Sequence, residues 1–162
     1  SDMTEQAPNA HLTAAIWHWD VYYQAAIETA MTCGGAENFV TEMGGNAYYA
    51  GLSEGFVDAS TLNELVAAPG TAAAMEAVRE LIDSGEWDVF SGVKLNITVD
   101  AEAGTAAVEQ VDAPLMSDGY ELKDGEVVEM ANPEIVPAGG ASVTDDVIKS
   151  GMNYNVAGVV EG

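Results

Sequence analysis

The segment Ala10–Met31 constrains the fold of this chain most strongly, because it predicts a strand that runs directly into a helix. Residues 11–19 alternate loosely and become rich in β-forming side chains towards Trp17 and Trp19. From Asp20, which we expect to cap the helix, apolar residues recur at a 3.6-residue spacing until a pair of glycines. Open α/β sheets bind their ligands where a strand gives way to a helix. This junction is therefore the first candidate for a binding site.

Downstream of this segment, the pattern predicts one clear helix and then a series of hairpins. The helix is expected at 71–85, followed by a short buried strand at 86–92. Residues 93–130 alternate apolar and polar side chains and include Asp124-Gly125, a strong two-residue hairpin signal, so they predict β-hairpins with one solvated face. The remaining segments are predicted to be a loop at 133–140, a short helix capped by Thr144 and a strand-like tail at 151–162.

The charge balance excludes two classes of partner. The chain carries 27 acidic and four basic residues, a formal net charge of −23. Without a basic patch, we expect no binding to nucleic acid or to anionic membrane surfaces. The acids are interspersed with apolar residues, which indicates a solvated surface on a folded protein. Self-repulsion of this size is best tolerated in concentrated salt, where the Debye length falls to about 3 Å at 1 M. We therefore expect an acidic, halophile-like surface.

No motif for catalysis, metal binding or cofactor binding is recognisable. The chain has no nucleophile elbow, no phosphate loop and no dinucleotide fingerprint. The single cysteine, Cys33, excludes an internal disulfide and a cysteine-based metal cluster. His11 and His18 are seven residues apart, which is not a ligand spacing. We expect no enzyme activity, no metal and no cofactor. No apolar run approaches the 18 residues that a membrane-spanning helix requires.

Two aromatic groups are candidates for ligand contact. On a strand, Trp17 and Trp19 would face one way and His18 the other, so the two indoles would form plates able to hold a planar ligand between them. Tyr48 and Tyr49, beside Gly51, are the second candidate, because aromatic side chains next to glycine line clefts. The alternative is structural: the tryptophans are core residues and the tyrosines stabilise a turn. The residues alone leave both interpretations open.

At these residues the chain resembles a known family. The segments are SDM, APNAHLTAAIWHWDVYY, YYAGLSEGFVD, IDSGEWDVFSG, SVTDD and GMNYNVAGVVEG. In this order they resemble the C-terminal half of the basic membrane protein family. Members of that family are substrate-binding proteins of ABC importers and are similar to purine-nucleoside receptors. The resemblance covers residues 1–94 and 142–162, whereas residues 95–141 are longer than the family's loop at this place.

The resemblance implies an α/β chain that forms part of a type I periplasmic-binding-protein fold, in which open α/β sheet lobes are joined by inter-lobe crossovers. Residues 1–94 would supply the C-terminal portion of the two-lobe fold including the crossovers, residues 95–141 a β-hairpin insertion, and residues 142–162 a returning helix and terminal strand. It also implies a missing N-terminal half bearing a lipid anchor, and hence a periplasmic or extracellular location.

The function implied by the resemblance is the solute-binding role of an ABC importer, with a nucleoside or nucleobase-like ligand held between two lobes. The partners implied are that ligand, the transporter permease, and the missing half or a second copy of the chain. A ligand-sensing or protein-interaction module on the same fold is the alternative. The implied ligand contacts are stacking on Trp17 and Trp19, cleft-lining by Tyr49 and Gly51, a hydroxyl contact at Asp2, and a ribose contact at Lys94.

Overall fold

The computed structural model describes residues 2–159, and the chain divides into two compact units, Ser1–Ala72 and Ala73–Gly162. Helix makes up 25% and strand 26% of the described residues. The strands of the described part form three small antiparallel sheets. This mixture is compatible with the predicted α/β class. The assignment to the type I periplasmic fold and the domain boundaries at 94 and 141 stay predictions.

The first unit begins with the predicted strand and helix. Its elements are β1 (Ala15–Trp17), α1 (Trp19–Thr32), α2 (Ala36–Glu42) and β2 (Val57–Ala59). The strand is shorter than predicted, and Trp19 is the first residue of α1. The prediction that Asp20 caps the helix is wrong: His18 occupies the N-cap position, and Asp20 lies in the first turn. There its carboxylate still favours the positive end of the helix dipole.

Two buried polar side chains connect the N-terminal loop of the first unit to the segment after β2. The side-chain amide of Asn63 donates to the carbonyl oxygens of Pro8 and His11 at 2.7 and 2.9 Å. The hydroxyl of Ser60 accepts the backbone N–H of Ala14 at 3.0 Å. Asn63 is 8% exposed and Ser60 is 7% exposed. Because buried polar groups are costly when unpaired, these bonds fix the loop against the sheet.

The second unit is dominated by antiparallel strands. Its elements are α3 (Thr71–Asp83, whose first two residues fall in the first unit), β3 (Val93–Asp100), β4 (Thr105–Asp112), β5 (Leu115–Lys123), β6 (Glu126–Glu129), β7 (Glu134–Val136), α4 (Asp145–Ser150) and β8 (Tyr154–Val156). β3 and β4 form a two-stranded ribbon, and β5 pairs with β6, β7 and β8. The predicted helix at 71–85, the hairpins and the helix after Thr144 are confirmed. The single solvated face predicted for the hairpins is wrong, because apolar side chains on their other face are also exposed: Ile97 at 47%, Val99 at 43% and Leu122 at 54%.

The turn between β5 and β6 is the predicted hairpin turn. Asp124 and Gly125 both have positive φ, at 54° and 85°, and Lys123 pairs with Glu126 across the turn. Positive φ at both central residues matches the twist of antiparallel strands, and few residues other than aspartate, asparagine and glycine adopt it readily. The local sequence therefore sets the register of this hairpin.

Two predictions for the second unit are wrong, and one extends past the described part. Residues 86–92 form turns rather than a strand, because the Asp88 carboxylate accepts the backbone N–H of Phe90 and its carbonyl accepts that of Ser91. The predicted loop at 133–140 contains β7, which pairs with β5 and buries Val136. In the predicted tail strand, β8 covers Tyr154–Val156, and residues 160–162 lie outside the described residues.

Candidate functional site

The candidate site is an aromatic cluster in the first unit, formed by Trp17, Trp19, Tyr22, Tyr23, Tyr48 and Phe56. Phe56 lies at its centre and is 3% exposed. The ring of Phe56 makes edge-to-face contacts with Trp17, Trp19 and Tyr48, at centroid distances of 5.3, 5.7 and 5.1 Å. This is a favoured geometry for aromatic pairs. One buried ring therefore supports two indoles and a phenol.

Backbone contacts explain why these rings meet. Trp17 ends β1 and pairs with Val57 of β2, which places the preceding Phe56 beside the start of α1. The backbone N–H of His18 donates to the carbonyl of Phe56 at 2.8 Å, so β1 ends and the helix begins at this point. Trp17 and Trp19 consequently lie on either side of a strand-to-helix bend.

Gly51 shapes the loop that leads to Phe56. Its carbonyl accepts the backbone N–H of Phe56 at 3.0 Å, and its own N–H donates to the Glu54 carboxylate at 2.7 Å. The backbone hydrogen bond from Gly51, together with the hydroxyl of Ser53, holds the pKa of Glu54 below its usual range. Gly51, predicted as a ligand contact, thus has its backbone groups engaged in forming this loop.

The two predicted tryptophans are brought together, but in a different arrangement from the one expected. Their rings stack on each other, with centroids 5.6 Å apart and planes at 12°. The gap between the planes cannot exceed 5.6 Å, whereas a ring between them needs about 7 Å, twice a carbon contact distance of about 3.5 Å. A planar ligand therefore does not fit between the indoles in this conformation. Trp17 and Trp19 are 57% and 52% exposed, so indole surface remains open to solvent.

A polar pair follows the same bend. The imidazole Nε2 of His18 is 4.0 Å from the Asp58 carboxylate, at the outer limit of an ion pair. Asp58 lies on β2 opposite Ile16, one residue from the Trp17–Val57 pair. The His18 and Asp58 side chains are 41% and 22% exposed. Together they offer hydrogen-bonding groups close in sequence to the stacked indoles.

The other predicted site residues are distributed between the two units. Tyr49 is 63% exposed, while its neighbour Tyr48 is the residue whose ring packs on Phe56. Lys94 belongs to the second unit, where it lies on β3 opposite Val111. The ligand contacts predicted for Tyr49 and Lys94 stay predictions.

Asp2 has partners in the N-terminal loop. Its carboxylate accepts the hydroxyl and the backbone N–H of Thr4 and lies 3.2 Å from Nε2 of His11. The hydrogen bonds from Thr4 hold its pKa below the usual range, with a smaller contribution from His11. Asp2 lines an open cavity of about 800 Å³ together with residues 61–65, and none of the aromatic cluster lines it. The ligand contact predicted for Asp2 stays a prediction.

Sequence reasoning did not identify Phe56, the centre of the cluster, or Tyr22, which packs on Tyr48 and Trp19. A signal was present: Phe56, Val57 and Ala59 follow a glycine and are separated by a single aspartate, as in a short strand. What the sequence does not display is the pairing of this strand with β1, some forty positions earlier.

Within residues 2–159, no group of three or more histidine, cysteine, aspartate or glutamate side chains is placed to hold a metal ion. None of the helices in the same part of the chain is long and apolar enough to cross a membrane.

Comparison of the chain with family models, with curated proteins and with solved structures gives no match. The resemblance to the basic membrane protein family therefore stays a prediction that rests on the quoted segments.

Proposed function

We propose that the aromatic cluster binds a planar ring ligand of the nucleoside or nucleobase class by stacking it on an exposed indole face. The observation that carries this proposal is the pair of parallel tryptophans, both more than half exposed, supported by the buried ring of Phe56. Exposed apolar surface of this kind marks ligand or partner sites. Stacking of a base on an aromatic side chain contributes about 1–3 kcal/mol.

The polar groups and the net charge narrow the ligand class. The imidazole of His18 and the carboxylate of Asp58 offer a donor and acceptors for ring N–H groups and sugar hydroxyls. The chain carries a formal net charge of −23, which opposes the approach of phosphorylated ligands. The proposal therefore favours an uncharged nucleoside or free base over a nucleotide.

The wider role we propose is that of a solute-binding component of an ABC importer, which delivers the ligand to a transporter permease. The resemblance of the quoted segments supports this role. In such a receptor the ligand stabilises a closed state of two lobes, and its differential affinity for that state sets the population. Binding by stacking requires no chemical step, so no enzyme activity is proposed.

The test is a calorimetric and thermal-shift screen of the full chain in concentrated salt against nucleosides, nucleobases, nucleotides, sugars and amino acids. A ligand at 100 times its dissociation constant adds about 2.7 kcal/mol of apparent stability, which moves the midpoint by several degrees. We expect the shift with nucleosides or bases, and its loss in Trp17→Ala and Trp19→Ala. The matched control is Trp87→Phe, because Trp87 lies in the second unit and its indole N–H donates to the Val93 carbonyl.

Two results would contradict the proposal: no shift with any ring compound, or an equal loss of binding in the Trp87 control. The first result would favour the alternative function, a ligand-sensing or protein-interaction module. One observation supports that alternative. Trp19, Tyr23, Ile27 and Met31 recur every four residues on α1 and are 52%, 58%, 61% and 81% exposed, an apolar ridge along the helix.

A further inference from the structure

Among the described residues, neither strand of the β3–β4 ribbon of the second unit has a second partner strand. β3 pairs with β4 over eight residues, and at the first residue of β3 the indole N–H of Trp87 donates to the Val93 carbonyl, which leaves the edge from Lys94 to Asp100 without a strand partner. A two-stranded hairpin is marginally stable by itself, and an exposed strand edge is a template for pairing with another strand. The ribbon is therefore a candidate interaction surface that the proposed ligand site does not use.

We propose that β3 pairs antiparallel with β3 of a second copy of the chain, in a register centred on Ile97. In this register Ile97 lies opposite Ile97 of the partner subunit, and Leu95 lies opposite Val99 of the partner subunit. Asn96 then faces Thr98 of the partner subunit. A twofold interface of this kind uses the same patch on both subunits, so a strand with a self-complementary sequence satisfies it.

The register keeps apolar residues on one face. In the ribbon itself, Ile97 lies opposite Val108 and Val99 opposite Ala106, so β4 extends the apolar face at this end of the ribbon, while Gln110 lies opposite Leu95. Ile97 and Val99 are 47% and 43% exposed in the single chain. Pairing of the two β3 strands creates a four-stranded sheet in the order β4, β3, β3, β4, with these side chains adjoining across the new seam.

The charged side chains of β3 favour pairing through this strand and in this register. Lys94 is one of four basic residues in the chain and forms no ion pair among the described residues; the proposed register places it opposite Asp100 of the partner subunit, twice per dimer. One oxygen of Asp100 accepts the backbone N–H groups of Glu102 and Ala103, which leaves Oδ2 for the lysine. A register shifted by two residues still places apolar side chains opposite apolar side chains, but Lys94 no longer lies opposite Asp100 of the partner subunit, so both of these ion pairs are lost.

The other edge of the ribbon does not favour self-pairing. β4 carries Glu109 and Asp112 and no basic residue, so pairing of β4 with itself would bring carboxylates together without a counter-charge. In the proposed dimer these acids lie on the outer strands. Acidic outer strands oppose the addition of further copies, so the assembly stops at two subunits.

The first test is sedimentation equilibrium of the full chain and of two variants matched in charge. Lys94→Glu and Lys123→Glu each change the formal net charge from −23 to −25, but only the first removes the ion pairs with Asp100. We expect Lys94→Glu to weaken the dimer about tenfold or more relative to the Lys123→Glu control, because two attractive pairs become repulsive. The double variant Lys94→Glu/Asp100→Lys reverses the pairs, returns the net charge to −23 and should restore the dimer.

The second test fixes the register in a Cys33→Ser background. Residues directly opposite on antiparallel strands have Cα atoms about 4.5–5.5 Å apart, within the range of a disulfide. Ile97→Cys should therefore form a disulfide-linked dimer on oxidation. Val99→Cys is the control, because the two residues 99 are four positions apart along the seam, about 13 Å. The proposal is overturned by a chain that stays monomeric at all concentrations, by equal effects of the two lysine variants, or by crosslinking through position 99.

Discussion

The clearest test of the aromatic cluster is Phe56→Leu, which keeps an apolar side chain at its centre and removes the ring. Phe56 makes three edge-to-face contacts and is 3% exposed. Such aromatic pairs contribute about 0.5–1.5 kcal/mol each beyond their buried area, so three of them amount to about 1.5–4.5 kcal/mol. A unit of 72 residues has a total stability of about 4–11 kcal/mol. The variant should therefore stay folded but lose a substantial part of its stability.

The assay is native-state hydrogen exchange followed in peptides that cover residues 15–32. The amides of α1 and the His18 N–H that donates to Phe56 lie in this segment. Loss of about 1.5–4.5 kcal/mol corresponds to a fall in protection of about tenfold to a thousandfold. Residues 105–112, in β4 of the second unit, serve as the internal reference, and we expect their protection to be unchanged.

The matched control is Phe39→Leu. Phe39 is half-buried on α2, and among the described residues it forms no ring pair. The same chemical change there should lower the protection of residues 15–32 by far less. If the two leucine variants behave alike, or if Phe56→Leu leaves the protection unchanged, the ring contacts do not hold the bend between β1 and α1.

Three further predictions concern other contacts. Asn63→Ala leaves two loop carbonyls unpaired and should cost about 1–3 kcal/mol for each group that stays buried, measured by urea denaturation. The pKa of Glu54 is lowered in the folded chain, so its ionised carboxylate stabilises the fold; this contribution is complete at neutral pH and is lost as the pH falls through the lowered pKa. Glu54→Gln should therefore make the stability of the chain depend less on pH in the acid range. The methyl group added by Gly92→Ala would overlap the carbonyl of Pro137. We expect this variant to lower the free energy of unfolding by about 1–3 kcal/mol and to increase amide hydrogen exchange in the second unit.

Features encoded by neighbouring residues were predictable from the sequence. The strand pattern along β3 and the Asp124-Gly125 turn depend on neighbouring residues, and the strand and the turn are confirmed. The prediction that α1 begins after Asp20 is wrong, because the start of the helix depends on a hydrogen bond from the His18 N–H to the carbonyl of Phe56, 38 positions away. The strand predicted at 86–92 was wrong because the Asp88 side chain binds the local backbone and makes turns instead.

The candidate site was predictable only in its exposed part. Two tryptophans at a strand-to-helix junction are visible in the sequence, and they lie together in the structure. Their supporting residue, Phe56, depends on β1–β2 pairing, which no local pattern reveals. Self-stacking of the indoles could not be foreseen either, since the bend at His18 changes the direction of the chain between them.

The stacking of Trp17 on Trp19 gives the chain an internal optical reporter. Two indoles 5.6 Å apart are close enough for their electronic transitions to couple, so we expect a contribution to the circular dichroism spectrum that isolated indoles do not give. The third tryptophan, Trp87, has its indole N–H bonded to a carbonyl in the second unit and contributes a separate background. A ring that stacks on either indole changes the coupled signal and leaves the background in place. Occupancy of the cluster can thus be followed without any label.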